Sequence, residues 1–188
     1  MITAAPNILY AEDTNADGKA DKIEKLSTGF HEANQQLRVN GLRWGLDGWI
    51  YCASGSHHAG YGKESKIKST KTGELVHIGA RDFRIKPDEG LIEPVSGPSQ
   101  FGRNRDAWGN WFGCQNAKPM FHYVLEDRYL RRNPHVAYPD SKVLISDVPG
   151  QRPVFPRSKP GKFHHAAQAG RFTSANSAMI YYDELLGE

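Results

Sequence analysis

The densest run of ligand-type atoms in this 188-residue sequence is Asp13-Thr14-Asn15-Ala16-Asp17-Gly18-Lys19-Ala20-Asp21-Lys22-Ile23-Glu24. Side-chain oxygens come at alternate positions, Asp13, Asn15 and Asp17. Gly18 then permits a sharp turn, and the Lys19 carbonyl, Asp21 and Glu24 follow at the seventh, ninth and twelfth places. Hard cations such as calcium take about six to eight oxygen ligands, and this spacing can wrap oxygens around one point. Four carboxylates crowded without a counter-ion repel one another, which favours a bound ion; a solvated acidic turn without metal is the alternative. An EF-hand needs a helix on each side of its loop. Here Pro6 and the short segment Asn7 to Tyr10 precede the run, and Lys22 to Leu26 reads as extended. The expected unit is therefore a calcium-stapled turn between strands, structural in role, with Asp13, Asn15, Asp17, Lys19 and Asp21 as ligands and Glu24 as a further candidate.

Other chemistry-bearing residues are scattered. His57-His58 and His164-His165 are adjacent pairs, and neighbours on a strand point to opposite faces, so neither pair readily chelates one ion. His57-His58, in a glycine-rich loop, could reach a pocket mouth. Two cysteines, Cys52 and Cys114, cannot make a disulfide framework or a four-thiolate zinc site; free buried thiols are expected. Trp44, Trp49, Trp108 and Trp111 are expected to serve packing between sheets rather than stacking on a ligand. Arg128, Arg131 and Arg132 lie among Glu126 and Asp127 and read as a solvated or salt-bridged face.

The elements that must position these residues are mostly strands. Glycine, proline and aromatic residues are plentiful, and long runs with helical apolar spacing are scarce. Candidate strands are Ile8 to Ala11, Lys22 to Leu26, Gly41 to Trp44, Trp49 to Cys52, Glu74 to Ile78, Phe83 to Lys86, Trp111 to Cys114, Lys142 to Ile145 and Ala178 to Tyr182, bounded by turns such as Asp47-Gly48 and Glu89-Gly90. One helix is expected, Phe121 to Arg132, closed by Pro134. The segment W-G-L-D-G-W-I-Y-C, Trp44 to Cys52, is echoed in shorter form by W-G-N-W-F-G-C, Trp108 to Cys114. A turn feeding an aromatic strand, used twice, suggests a repeated unit, and repeats of about 40 to 50 residues built of short strands point to propeller blades. The copies lie farther apart than that, so 54–81 is expected to be an insertion; a sandwich is the alternative. Six closed blades would need about 240 residues. The expectation is accordingly an all-β chain, residues 1–188, forming a partial, open β-propeller of about three to four blades from a six-bladed type.

Charge excludes some partners. With 24 basic and 21 acidic residues, net +3, the chain offers no field that would draw nucleic acid or an anionic membrane. No run approaches the roughly 18 to 20 apolar residues of a membrane span, and no secretory signal is legible, so a soluble chain is expected.

Several uncommon strings carry a family resemblance: A-A-P-N-I-L-Y-A-E-D-T-N-A-D-G-K-A-D-K from Ala4, N-Q-Q-L-R-V-N-G-L-R-W-G-L-D-G-W-I-Y from Asn34, R-D-F-R-I-K-P-D from Arg81, S-G-P-S-Q-F-G-R-N-R-D-A-W-G-N-W-F-G-C-Q-N from Ser96, Y-L-R-R-N-P-H-V from Tyr129 and F-T-S-A-N-S-A-M-I-Y-Y-D-E-L-L-G from Phe172. Over nearly its whole length the chain resembles the membrane-bound dehydrogenase-like proteins of planctomycetes and verrucomicrobia, whose propeller is similar to the quinoprotein glucose and sorbosone dehydrogenases. Members of that family are longer, which makes this chain a fragment by resemblance. The resemblance implies a periplasmic or cell-envelope protein that oxidises a sugar or alcohol through pyrroloquinoline quinone, with calcium bound and a cytochrome c-type acceptor. In such enzymes a histidine before the Asn-Gly turn takes the substrate proton; the corresponding residue here is Leu37, which cannot. Arg38 and Asn40, at the turn into a central strand, and Arg103 and Asn104, which echo an Arg-Asn pair of the quinone pocket, are the cofactor-binding candidates the resemblance implies. The other functional reading, favoured by Leu37, is a non-catalytic propeller module that recognises, for instance, polysaccharide within a large envelope protein.

Overall fold

A computed structural model describes residues 1–32, 34–55, 66–133, 135–137, 140–145 and 174–186. The chain is all-β, built on three antiparallel sheets. The first sheet holds β1 (Ile2–Ala4), β2 (Asn7–Glu12) and β3 (Lys22–Thr28), extended by β6 (Lys66–Ser69) and β7 (Leu75–His77) in the order β1-β2-β3-β6-β7. The second is β4 (Asn40–Trp44), β5 (Ile50–Ala53), β8 (Asp82–Lys86) and β9 (Leu91–Val95), and the third is β10 (Arg103–Arg105), β11 (Trp111–Gln115), β12 (Lys118–Tyr123) and β13 (Lys142–Leu144). One helical turn, α1 (Asp127–Leu130), follows β12.

Burial explains the layering. Every residue of β5 is buried, because this strand has a sheet on each side. Ile50 and Cys52 join Ile8, Phe30, Val39, Ile67, Ile78, Phe83 and Ile85 in the apolar core between the first and second sheets. Tyr51 points the other way and stacks on Trp111 of the third sheet at 4.0 Å between ring centroids. Each large aliphatic or aromatic side chain so buried contributes about 1.5 to 3 kcal/mol. The second and third sheets are joined differently, by aromatic rings and buried charge.

Eight of the expected strands are present. The echoed segments occupy matching places: Cys52 lies in β5 and Cys114 in β11, the second strands of consecutive sheets, and both are buried free thiols. The expected insertion, 54–81, does interrupt the second sheet between the neighbours β5 and β8. Its described part then returns to the first sheet as β6 and β7, because Ile67 fills the apolar core and needs that position.

Three expectations need correction. The helix expected over Phe121 to Arg132 is a strand for its first part: β12 pairs with both β11 and β13, and Phe121 and Tyr123 alternate inward. An apolar run that short fits either period, and the sheet decides it. Ala178 to Tyr182 has no ladder partner among the described residues and is not a strand. Trp44 and Trp108 are 63% and 78% exposed, so only Trp49 and Trp111 are partly buried as packing predicts. Pro134 and the pairs His57-His58 and His164-His165 lie outside the described residues.

Candidate functional site

The acidic run forms the tip of the β2–β3 hairpin, with Glu12 paired to Lys22 at its base. Its side chains fold inward onto the loop's own backbone. Asp13 accepts from the Gly18 N–H at 2.8 Å and the Asp17 N–H at 3.2 Å, Asn15 accepts from the Asp17 N–H at 2.9 Å, and Asp17 accepts from the Lys19 N–H at 2.8 Å. Gly18, at φ +85°, makes the turn that brings these donors round. The Gly18 N–H, with further loop N–H groups, holds the Asp13 carboxyl below the usual carboxylate range. Asp21 accepts instead from the backbone and hydroxyl of Thr14. Glu24 sits in β3 opposite Tyr10, with its carboxylate 3.4 Å from the Lys22 ammonium. Among the described residues no three His, Cys, Asp or Glu side chains gather as a ready-made metal group. Of the ligands expected from the sequence, Asp13, Asn15 and Asp17 turn onto the hairpin tip, Asp21 lies on the Thr14 side, and Glu24 is paired with Lys22.

The candidates for cofactor binding are engaged in the fold. Arg38 donates through Nε and Nη2 to the Glu32 carbonyl at 2.9 and 2.6 Å. Asn40 ties the second sheet to the third: its amide donates to the carbonyls of Arg38 and Gln100, and its oxygen accepts from the Gly102 N–H at 2.6 Å. Gly41 and Gly102 allow this approach, since a Cβ on Gly41 would stand 2.5 Å from the Gly102 Cα. Asn104 accepts from the Arg105 N–H. Leu37 closes a 3-10 turn, Gln35–Leu37, and presents no titratable group.

Arg103 lies deepest. Its side chain is 2% exposed and pairs at 3.2 Å with Asp82, which is wholly buried. It also donates to the Ser96 carbonyl and sits against the rings of Tyr51, Trp111 and Tyr123, 4.7 to 5.3 Å from their centroids. Asp82 accepts two further backbone N–H groups, from Ser54 and Ser99, and the Ser99 hydroxyl. Tyr123 bonds both Ser99 and Asp82, and burial, reinforced by the Asp82 charge, pushes its phenol far up. This network is the joint between the second and third sheets.

Above the joint a cleft of about 410 Å³ opens between the β4–β5 and β10–β11 turns on one side and β9, β12 and α1 on the other. The Tyr51–Trp111 stack lies at its base and Trp108 at its mouth. The charged groups that line it are paired, some of them with Arg81 and Arg131 outside the lining. Arg84 holds Asp47 at 2.7 Å and Glu93 at 2.5 Å; Arg131 reaches Glu93 at 2.8 Å and Asp127 at 3.4 Å; Arg81 meets Asp127 at 3.1 Å. Arg128 pairs with Glu126. Of the arginines expected on a solvated or salt-bridged face, Arg128 and Arg131 are salt-bridged and Arg132 lies over the Tyr129 ring, and the pairs extend into a ladder of alternating sign. The sequence did not single out Asp82, Arg84 or Tyr51. The available signal was the echo itself, which sets Tyr51 and Trp111 in corresponding strands, and the lone Asp82 heading an apolar alternating strand.

Fold and site together define an all-β protein of stacked antiparallel sheets with a polar, aromatic cleft between two of them. Residues 1–188 match the family model described as a domain of unknown function (DUF7133), and the chain belongs to that family. No curated protein and no solved structure matches it. Among the described residues no helix is long and apolar enough to cross a membrane.

Proposed function

We propose that this chain is a calcium-stapled portion of a β-propeller that serves as a non-catalytic recognition module in a cell-envelope protein. The observation that carries the reading is the commitment of Arg38, Asn40 and Arg103 to hydrogen bonds and an ion pair within the fold, while Leu37 offers no base. The propeller reading is supported by the way successive sheets meet. Asn40 contacts Gly102, and the Trp44 carbonyl accepts from Arg105, so β4 and β10, the first strands of their sheets, run side by side in the same sense. Segment 174–182 repeats this relation to β10, with Ser177 bonded to the Phe101 carbonyl and Tyr182 to the Ala107 N–H, as the first strand of a further sheet would. Calcium at Asp13, Asn15, Asp17 and the Lys19 carbonyl, joined by Asp21 after a turn of its side chain, would neutralise the hairpin tip and brace β2 against β3.

A second reading, a quinone-dependent sugar or alcohol dehydrogenase passing electrons to a cytochrome, is favoured by the string Leu37-Arg38-Val39-Asn40-Gly41, which keeps the frame of the quinoprotein turn. One titration separates the two. The calcium-loaded chain is mixed with pyrroloquinoline quinone, following tryptophan fluorescence and dye reduction with aldoses and alcohols. The recognition reading expects neither quenching nor turnover. Saturable quenching, or turnover restored by Leu37→His, would replace it with the dehydrogenase reading.

A further inference from the structure

The cleft between the second and third sheets is the concave surface whose chemistry is most specific, and its charges define what can enter. Seven carboxylate and guanidinium side chains line it, and every one is held in an ion pair: Asp47 and Glu93 on Arg84, Glu126 with Arg128, Asp127 on Arg81, and Arg103 on Asp82. An ionised ligand would have to break one of these pairs and leave its partner unbalanced. A purely apolar ligand would leave the same groups desolvated without new partners. An uncharged molecule rich in hydroxyl groups avoids both penalties, because each hydroxyl donates and accepts at once and can bond paired carboxylates and guanidinium groups without separating them.

The aromatic side of the cleft points to the same ligand. Trp108 stands at the mouth, 78% exposed, with the Tyr182 ring inclined at 68° to it and 6.0 Å between centroids. Its turn is braced by Asp106, which accepts from the Trp108 N–H at 2.9 Å, the Asn110 N–H at 2.8 Å and the Asn110 side chain at 2.7 Å. A large ring that is exposed yet held in place binds at low entropic cost. Its face suits the C–H face of a pyranose ring as well as it suits water. The volume of about 410 Å³ lies within the range of about 300 to 1,000 Å³ of small-ligand sites.

We infer that this cleft binds an uncharged oligosaccharide, with Trp108 as stacking platform and the Arg84 ladder as the hydrogen-bonding wall. The inference rests on the recognition reading only in taking binding, not turnover, as the output of the site. The test is calorimetry and tryptophan fluorescence on the intact chain with cellohexaose, maltohexaose, laminarihexaose and xylohexaose, at low and high sodium chloride, beside polygalacturonate as an ionic comparator. At least one neutral hexasaccharide should bind saturably with an affinity independent of salt. Trp108→Ala should weaken it at least about tenfold, and Trp44→Ala, an exposed tryptophan outside the cleft lining, should leave it unchanged. Binding of none of the four, binding of polygalacturonate alone with loss at high salt, or an unaltered affinity in Trp108→Ala would each overturn the inference. The quinone titration reports on the recognition reading independently. Absent quinone binding with absent saccharide binding removes this inference alone; quinone binding removes the recognition reading whatever the saccharides do.

Discussion

Replacing Arg103 by methionine separates a structural from a cofactor-binding role. The guanidinium is 2% exposed and is, among the described residues, the one cation paired with Asp82, which is 0% exposed. Methionine keeps much of the side chain's length and its contact with Tyr51, Trp111 and Tyr123, but leaves the Asp82 carboxylate buried without a counter-charge. Breaking a buried pair in this way costs about 3 to 5 kcal/mol, a large fraction of the roughly 5 to 15 kcal/mol by which domains are stable. With a urea slope of about 2 kcal/mol per molar, the unfolding midpoint should fall by about 1.5 to 2.5 M. Asp82→Asn should cost a similar amount, since Arg103 is then the unbalanced charge. The double variant Asp82→Asn/Arg103→Met should be less destabilised than the sum of the two by at least about 1 kcal/mol, because the buried charge is gone altogether. Urea unfolding of the four proteins, followed by tryptophan fluorescence, reads all three quantities. An arginine kept for a ligand at an open site would be lost at a cost of about 0.5 kcal/mol or less. That result for Arg103→Met, or strict additivity in the double variant, would refute the assignment of this pair as the joint between sheets.

Calcium should raise the melting temperature of the chain, by the equivalent of about 2.7 kcal/mol at a hundredfold excess over its dissociation constant. Asp17→Ala should abolish the rise, and Glu24→Gln should leave it intact; a melt unchanged by calcium would count against the hairpin-tip site. Gly41→Ala should lower stability by about 1 to 3 kcal/mol in urea, since the residue sits at φ +65° and its new Cβ would meet the Gly102 backbone. Cys52, whose thiol burial pushes far up, should fail to react with a disulfide reagent in the native chain and react promptly in denaturant. Burial alone would raise the Asp106 carboxyl, but the bonds from Asn110 and from the Trp108 and Gly109 backbone hold it below its ordinary value. A carboxyl lowered by folding stabilises the native state above its unfolded pKa. That contribution should disappear as pH falls from about 4 through the lower folded value, seen as a loss of the tryptophan signal from the Trp108 turn that Asp106→Asn makes independent of pH.

What the sequence determined by itself is the local grammar of the chain. The strands that end in Asp47-Gly48 or Glu89-Gly90 were legible because those turns restrict the backbone over four residues, whatever lies around them. The hairpin tip at Asp13 to Asp21 was legible for the same reason: the side-chain hydrogen bonds of Asp13, Asn15 and Asp17 run within the run itself. The paired echo at Trp44 and Trp108 likewise located the second strands of two consecutive sheets.

The tertiary structure decided everything that depends on residues distant in sequence. Lys118–Tyr123 became a strand because β11 and β13 were available on either side, although its short apolar pattern also fits a helix. Residues 66–77 joined the first sheet because Ile67 completes an apolar core drawn from two sheets. Arg103 reads as a cofactor-binding candidate until Asp82, 21 positions earlier, is placed beside it. Whether a charge is a ligand-binding group or a structural joint depends on whether its counter-charge is buried with it. That is a property of packing between sheets, and one strand's sequence does not contain it.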